Sequence, residues 1–212
     1  MEKHNVLAGN FIDRKALKRK DNTWIDKTLN QEKTLFIPIW NDCFLVNGNP
    51  KKLVFLKKHE LDLSTDEKHN IFLGFFRDNP IFAILMHDMT QPPFKGFGEF
   101  EDLRFLGNTI PAYEANLAAH ACGLAKWHNS HKYCSNCGSP TKSDKGGNSR
   151  RCQNSICNKT LFPRVDPAII VLVTDGKKCL LGRQASWPKE RYSTIAGFVE
   201  PGESLEDAVC RE

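Results

Sequence analysis

The sequence predicts an α+β protein in which a mostly β first unit is followed by a metal-dependent segment and a second β-rich unit. In the first half of the chain, short apolar stretches alternate with turns rich in Asn, Gly and Pro, which is typical of several short strands. In the middle, four closely spaced cysteines lie in a segment without periodic apolar residues, so hydrophobic burial alone cannot order it. Near the end, the continuous apolar run 168–173 is short enough for a buried strand.

The composition is typical of a globular protein. Of the 212 residues, 40% are hydrophobic and 26% are charged, and 30 basic against 25 acidic residues give a formal net charge of +5. This mild excess suits a polyanionic ligand such as a nucleotide and falls short of the charge of a dedicated DNA-binding domain. No apolar run approaches the roughly 18 residues of a membrane helix, and the N-terminus lacks the features of a signal peptide. We therefore expect an intracellular, cytoplasmic protein with no membrane contact.

The first unit, residues 1–108, is expected to combine short strands with few helices. A helix is predicted around residues 24–29, and turns are indicated at 47–50 and 78–80. The apolar stretches expected to form strands are 35–40, 44–46, 53–56, 71–76 and 81–86. Taken alone, this unit indicates no chemistry.

Residues 109–132 are predicted to form a connecting helix. Pro111 fits its first turn and Glu114 suits its positive end. A stripe at helical spacing follows, formed by Leu117, Ala121, Leu124, Ala125 and His128. The histidines in and just after this helix are His120, His128 and His131. Packing or surface roles are favoured for them over metal binding, because four cysteines nearby already complete a metal site.

The strongest metal-binding motif lies in residues 133–163. Two cysteine pairs are separated by 14 residues: Cys134 and Cys137, then Cys152 and Cys157. A tight turn, which Gly138 supplies, lets such a pair occupy one side of the tetrahedron that zinc prefers. Because binding requires thiolates, the metal's binding energy becomes folding energy for a segment without a core. We interpret the motif as one structural zinc per chain, in a closed and therefore non-catalytic site.

Disulfides and a redox-active cysteine pair are the alternatives to zinc. Disulfides are disfavoured by the intracellular expectation, and a redox pair does not need a second pair of cysteines. The remaining cysteines are interpreted as ordinary buried thiols; these are Cys43, Cys122, Cys179 and Cys210.

The last segment, residues 164–212, is predicted to begin with strands and to end in a helix. After the run 168–173, the pair Asp175-Gly176 indicates a tight turn, and further strands are predicted at 179–181 and 193–196. A helix is then predicted to begin at residues 204–207, because their Ser-x-x-Asp spacing is related to a capping box.

The final residues combine a glycine, two glutamates and an arginine at fixed spacing. Five residues separate Gly197 from Glu203, and seven separate Glu203 from the pair Arg211-Glu212. Carboxylates on such a loop and helix can bind Mg²⁺, which prefers oxygen ligands. Gly197 and Gly202 would let the loop turn and approach the metal closely. The pattern resembles the opening of the Nudix box, the catalytic motif of the Nudix hydrolase superfamily.

This resemblance implies roles for individual residues. Glu203 would pair with Arg211 and hold the loop against the helix, and Glu212 would be the third residue of the catalytic set. The Glu212 carboxylate and the backbone carbonyl of Ala196 would be ligands of catalytic Mg²⁺ or Mn²⁺. In the family the box continues with two more glutamates, and the sequence stops before them. The 212-residue chain is therefore expected to be inactive.

Further features resemble the zinc-ribbon NADH pyrophosphatase, or NAD(+) diphosphatase, branch. Residues 196–200 open the box as they do in that branch, and a four-cysteine ribbon lies upstream. Residues 162–167 resemble the aromatic-Pro-Arg segment that leads into the branch's Nudix domain, and residues 10–24 resemble the start of its N-terminal domain. The resemblance implies an N-terminal Nudix-like α/β domain, a zinc ribbon and the incomplete beginning of a Nudix α/β/α sandwich. The corresponding division is 1–108, 109–132 for the connecting helix, 133–163 and 164–212.

The branch implies an activity and its substrate contacts. Its members hydrolyse NADH or NAD⁺ to a nicotinamide mononucleotide and AMP, and removal of NAD caps from RNA is a related activity. Phe162 and Phe198 would stack on the nucleotide, the first across the interface of a homodimer. For an isolated phenylalanine a core position is the commoner role.

Two other interpretations stay open at this point. The ribbon could bind RNA or nucleotides beside a non-catalytic Nudix remnant, using Lys132, Lys142, Lys145, Arg150 and Arg151. The chain could also be a fragment without a stable Nudix domain. A C-terminal peroxisomal signal is the alternative to a cytoplasmic location.

Overall fold

The strands between residues 35 and 102 form one sheet around a parallel pair. The computed structural model describes residues 6–61, 69–86 and 89–212, and the chain divides into two compact units between Pro163 and Arg164. The strands of the first sheet are β1 (Leu35–Trp40), β2 (Cys43–Asn47), β3 (Lys52–Leu53), β4 (Leu56–Lys57), β5 (His69–Phe76), β6 (Asn79–Met86) and β7 (Glu99–Asp102). Their order is β3-β2-β1-β6-β5, with β4 paired to β1 and β7 to β2. Only β1 and β6 run parallel among the described pairs.

Two hairpins of this sheet turn through left-handed backbone. Asn41 and Asp42, between β1 and β2, have φ of 49° and 60°, and Arg77 and Asp78, between β5 and β6, have φ of 47° and 64°. Two consecutive residues with positive φ are typical of the type I′ turn, whose twist matches that of the flanking strands. The second turn therefore begins one residue before the predicted 78–80, and residues 79 and 80 already belong to β6.

Three helices accompany the sheet. They are α1 (Asn22–Leu29), α2 (Leu103–Leu106) and α3 (Ala112–Ser130). The Asp21 carboxylate starts α1 by accepting a hydrogen bond from the backbone N–H of Trp24 at 3.1 Å. The predicted helices near 24–29 and across 109–132 are both present. Within the described ranges, no helix combines the length and the apolar character needed to cross a lipid bilayer.

Helices α1 and α3 cover opposite faces of the sheet. Ile71 belongs to a core cluster with Leu117 of α3, whereas its neighbour Phe72 belongs to a second cluster with Ile25 of α1. Neighbouring residues of a strand point to opposite faces, so the first unit has three layers. The α3 stripe predicted from the sequence is buried: Leu117, Ala121, Leu124, Ala125 and His128. The mixed fold class with an N-terminal α/β domain is confirmed.

The cysteine segment adds a small sheet to the first unit. Its strands are β8 (Thr141–Asp144), β9 (Ser149–Cys152) and β10 (Thr160–Leu161), in the antiparallel order β10-β9-β8. The 3-10 turn Lys145–Gly147 joins β8 to β9. A Cβ added at Gly147 would lie 3.1 Å from the backbone of Ile71. The glycine therefore lets the turn pack directly against β5.

The second unit contains a two-stranded sheet and a short helix. β11 (Ala168–Val171) pairs with β12 (Ile195–Phe198), and α4 (Leu205–Arg211) follows. The prediction that the run 168–173 is a buried strand is wrong, because β11 ends at Val171 and only Ile169 of its four residues is buried, while Ile170 is 72% exposed. Ser204 starts α4 with a capping box. The Ser204 hydroxyl accepts from the Asp207 backbone N–H at 3.1 Å, and the Asp207 carboxylate accepts from the Ser204 backbone N–H. The strand predicted at 179–181 is wrong, because this region forms only an isolated bridge between Thr174 and Cys179.

Candidate functional site

The four cysteines predicted to bind zinc lie together. Their sulfur atoms are all within 4.8 Å of one another: Cys134, Cys137, Cys152 and Cys157. The sulfurs of Cys134 and Cys157 are 3.8 Å apart, and those of Cys137 and Cys152 are 3.5 Å apart. With zinc–sulfur bonds of about 2.3 Å, a tetrahedral site has sulfur–sulfur edges of about 3.8 Å. The donor set therefore fits one zinc ion at its centre.

Two similar turns present the cysteine pairs. Gly138, with φ of 72°, donates its backbone N–H to the carbonyl of Cys134 at 2.9 Å. Asn158, with φ of 42°, donates in the same way to the carbonyl of Asn154 at 2.8 Å. In each case the residue directly after the pair adopts the left-handed conformation, which glycine and asparagine tolerate best. These turns explain how unequal spacings in the two pairs give one compact cluster.

The thiols of the cluster have different environments. Hydrogen bonds from Ser139 lower the pKa of Cys137 to about 6, whereas burial raises the pKa of Cys152 to about 12. Metal-bound cysteines are thiolates. A cation at the centre would therefore supply the charge that stabilises the buried Cys152 sulfur in that form.

The cysteines outside the cluster are less buried than predicted. Cys43 and Cys122 are half-buried, and burial raises the pKa of both thiols. Cys179 and Cys210 are exposed, so their interpretation as buried thiols is wrong. Apolar neighbours in sequence did not predict their burial, because the strand expected around Cys179 does not form.

Arg211 connects the helix of the predicted box to the loop before it. Its Nε donates to Glu203 Oε1 at 2.6 Å, and its Nη2 donates to Glu203 Oε2 at 2.9 Å. Nη2 also donates to the backbone carbonyl of Phe198 at 2.8 Å. The Arg211 guanidinium lowers the pKa of Glu203 to about 2, and the Glu203 carboxylate raises the pKa of Arg211. Loop, strand β12 and helix α4 are thus joined by one fork-shaped pair.

Glu212 lies beside the glycine that opens the box. A methyl group at position 197 would overlap the Glu212 carboxylate. Gly197 therefore leaves the room in which this carboxylate approaches strand β12. Ala196, whose carbonyl was predicted as a metal ligand, is the preceding residue of that strand. The Glu212 carboxylate also accepts from Arg211 Nη1 at 2.6 Å, so the same arginine orients both glutamates.

The two phenylalanines predicted to stack on substrate are both on the surface. Phe162, just after β10, is 59% exposed, and Phe198, at the end of β12, is 69% exposed. The Lys145 ammonium lies 5.3 Å from the centroid of the Phe162 ring, within cation–π range. Neither ring is used in a core, so both remain open for stacking on a base.

Arg150 differs from the other basic residues that were grouped as an RNA-binding set around the ribbon. It is 8% exposed, and it donates to the Thr141 hydroxyl and carbonyl at 2.7 and 2.8 Å and contacts His128 Nδ1 at 2.7 Å. Its assignment as an RNA contact is therefore wrong. It links its own strand β9 to β8 and α3, a role that the sequence did not reveal because its partners Thr141 and His128 lie 9 and 22 residues away along the chain.

Comparisons with known families match three consecutive parts of the chain. Residues 33–127 match a NADH pyrophosphatase-like rudimentary NUDIX domain, residues 129–162 a NADH pyrophosphatase zinc ribbon domain, and residues 164–212 a NUDIX domain. These three domains define a Nudix protein that carries a zinc ribbon. The chain belongs to the zinc-ribbon NADH pyrophosphatase branch of the Nudix hydrolase superfamily, as its motifs indicated.

Similar individual proteins come from distant organisms. The human NAD-capped RNA hydrolase NUDT12 is 32% identical over all of this chain and 55% of its own length. The human mitochondrial NAD(P)H pyrophosphatase NUDT13 is 42% identical over 54% of this chain and 32% of its own length. The NAD-capped RNA hydrolase NudC of Mycobacterium tuberculosis is 44% identical over 54% of this chain and 36% of its own length. The chain thus spans about half the length of NUDT12.

Proposed function

We propose that the protein hydrolyses the pyrophosphate of NADH or NAD⁺ to a nicotinamide mononucleotide and AMP. The observation that carries this proposal is the fork of Arg211 on Glu203, with its additional bond to the Phe198 carbonyl. This fork holds the box loop and strand β12 to helix α4, which would support the ligands of a metal-assisted attack on a pyrophosphate. The name of the human relative NUDT13, a NAD(P)H pyrophosphatase, supports the same activity.

The roles of the remaining residues follow from their places in the box. The Glu212 carboxylate and the Ala196 carbonyl would hold Mg²⁺ or Mn²⁺, since both offer the oxygen ligands that these ions prefer. When bound, such an ion neutralises charge on the pyrophosphate and lowers the pKa of a bound water. Arg211 orients Glu212, and Gly197 leaves room for its carboxylate beside the strand.

Aromatic stacking would select dinucleotides over nucleoside triphosphates. The exposed rings of Phe162 and Phe198 offer two surfaces for bases or for the nicotinamide. We include in the proposal a homodimer in which Phe162 of one subunit reaches the substrate of the other. A cytoplasmic location is also part of the proposal, in line with a thiolate-dependent zinc ribbon in a reducing compartment.

Removal of NAD caps from RNA is the second candidate activity. It is favoured because NUDT12 and NudC are both named NAD-capped RNA hydrolases. The chemistry at the pyrophosphate would be the same, and only the length of the nucleotide chain beyond the AMP moiety would differ.

The test compares two polypeptides under identical conditions. The first is limited to residues 1–212, and the second continues through the glutamates that follow this position in the Nudix box. NADH and Mg²⁺ or Mn²⁺ are added, and the nucleotide products are separated and quantified. The longer polypeptide should form reduced nicotinamide mononucleotide and AMP in equal amounts. The shorter one should be inactive, because Glu212 is its last carboxylate side chain and lies at a terminus that has no following turn to hold it. Equal rates for the two lengths would contradict the placement of the metal ligands.

A further inference from the structure

Two arginines of the N-terminal segment lie near His120 in the first unit, and neither belongs to the cysteine cluster or to the Nudix box. Arg14 Nη1 is 3.1 Å from Nε2 of His120, which lies on α3. Arg19 Nη1 donates to Asn148 Oδ1 at 2.7 Å. Asn148 follows the 3-10 turn of the ribbon. The N-terminal segment, the connecting helix and the ribbon thus each contribute a polar side chain to one region.

The positive charge of this cluster is not balanced by a carboxylate. Within residues 6–61, 69–86 and 89–212, neither Arg14 nor Arg19 forms an ion pair. The nearest acidic residues in sequence have other roles. Asp13 pairs with Lys15 at 2.6 Å, and Asp21 caps α1. The cluster therefore holds guanidinium charge at a site where the described protein offers no counter-ion.

The electrostatics of the cluster favour an anion. Burial, with a contribution from the charge of Arg14, lowers the pKa of Arg19. Burial and the two arginines also lower the pKa of His120 to about 4, so its ring is neutral near pH 7 and Nε2 accepts from Arg14. Both shifts report that positive charge is unfavourable here, and a bound anion would remove that cost.

The shape of the region allows a ligand to approach. Residues 10–14 line a cleft of about 470 Å³, which Arg14 borders. The planar guanidinium offers parallel N–H donors that match the oxygens of a phosphate, and the second arginine adds a further charge. The position between three parts of the fold is also a common location for ligand sites.

We propose that Arg14, Arg19 and His120 form a phosphate-binding site in the first unit of this protein. Each arginine donates to phosphate oxygens, while His120 positions the Arg14 side chain through Nε2. Two sources share this chemistry, namely a free or terminal phosphate and the phosphodiester backbone of an RNA strand. The proposal does not depend on hydrolysis of NADH, because every residue it uses lies in the first unit.

Binding is measured with the zinc-loaded 212-residue chain in two arms. One arm titrates inorganic phosphate by calorimetry. The other arm titrates a labelled, uncapped single-stranded RNA at several salt concentrations. The RNA has about ten nucleotides, the scale of one single-strand binding site. The variants are Arg14→Gln and Arg19→Gln. Arg104→Gln is the matched control, because Arg104 is 82% exposed in its side chain and pairs with Asp102 instead. Arg14→Lys keeps the charge without the fork and supplies a second test of position 14 if the glutamine variant is insoluble.

Each Gln variant should lower the affinity for the ligand that binds this site by about tenfold, the scale of one charged hydrogen bond. Arg104→Gln should leave that affinity unchanged. If RNA is the ligand, the slope of log affinity against log salt should also fall by about 0.7 for each lost contact. An effect confined to the RNA arm identifies the phosphodiester source, and an effect in the inorganic phosphate arm identifies the free or terminal phosphate. The proposal is overturned if neither ligand binds, or if the two Gln variants change affinity no more than Arg104→Gln.

Discussion

Arg211 and Glu203 form a two-bond fork in which each carboxylate oxygen accepts one N–H, at 2.6 and 2.9 Å. Because Arg211 also donates to the Phe198 carbonyl and to Glu212, one guanidinium connects the box loop, strand β12 and helix α4. A lysine ammonium lacks the planar fork whose parallel N–H donors match the two oxygens of a carboxylate. We therefore expect the hydrogen-bond geometry of Arg211 to matter more for the site than its positive charge.

The fork should make the second unit sensitive to acid. The pKa of Glu203 is lowered from 4.5 to about 2, so its contribution to stability is fully present above about pH 4.5 and is lost as the pH falls towards 2. Thermal unfolding of the second unit, followed by NMR signals of α4 and β12 between pH 6 and pH 2.5, should show a loss that is smaller in Glu203→Gln. The remaining loss is expected from Asp207, whose pKa is also lowered, by its hydrogen bonds with Ser204.

Glu206→Gln provides the matched control for this acid sensitivity, since Glu206 is an exposed carboxylate on the same helix. The control should keep the pH dependence of the parent chain. A parent and a Glu203→Gln variant with the same profile would mean that the fork does not stabilise the unit.

The ribbon should carry about one zinc ion per chain in protein purified without chelator. Cys152→Ser should lose the metal and solubility together, because the small core of the segment joins Leu161 to Trp127 of α3 and otherwise consists of the cysteines themselves. Elemental analysis checks the stoichiometry. Cys179→Ser is the control, since Cys179 is exposed and lies outside the cluster. Protein with almost no zinc, or equal loss of zinc in both variants, would contradict the assignment.

Replacing Arg150 should destabilise the first unit without changing any surface charge. Arg150→Ala leaves the Thr141 carbonyl and its hydroxyl without their buried donor, which should cost about 1–3 kcal/mol in the free energy of unfolding. Arg151→Ala is the comparison, because this neighbour is half-buried and its ion pair with Asp144 is 3.5 Å long; such a pair is worth about 0–1 kcal/mol. Denaturant titration measures both. A smaller effect for Arg150 than for Arg151 would be inconsistent with the cross-link.

Phe198→Ala should weaken substrate binding in a polypeptide that extends through the Nudix box. If the exposed ring stacks on a base, KM for NADH should rise by the equivalent of about 1–3 kcal/mol, and kcat should change less. Tyr192→Ala removes another exposed ring of the second unit and should leave KM unchanged. Equal turnover of ATP and NADH by the parent enzyme would contradict the stacking selection.

Local patterns in the sequence predicted much of the architecture. Helix α3 follows from a stripe at helical spacing that the structure buries, and strand β11 follows from the run 168–173. The capping box of α4 could be predicted from Ser204 and Asp207, because its two hydrogen bonds join residues that are only three positions apart. The zinc ribbon was predicted from spacing alone, since the coordination geometry of the metal restricts which spacings work.

Contacts between distant residues could not be predicted in this way. Arg150 resembles a surface charge in sequence, and only the meeting of β8, β9 and α3 places it inside. The same holds for Arg14 and His120, which are 106 residues apart. The strand expected at 179–181 shows the opposite error, because an apolar triplet needs a partner strand to become regular structure.

NADH turnover by variants at position 212 decides whether Glu212 is a metal ligand of a pyrophosphatase. NADH turnover with Mg²⁺ or Mn²⁺ is compared for the polypeptide that extends through the Nudix box, its Glu212→Gln variant and its Glu206→Gln control. Glu212→Gln should lower kcat by about 100-fold or more, on the scale of losses at metal sites, while Glu206→Gln should retain the parent rate. Parent-like turnover by Glu212→Gln would contradict the account.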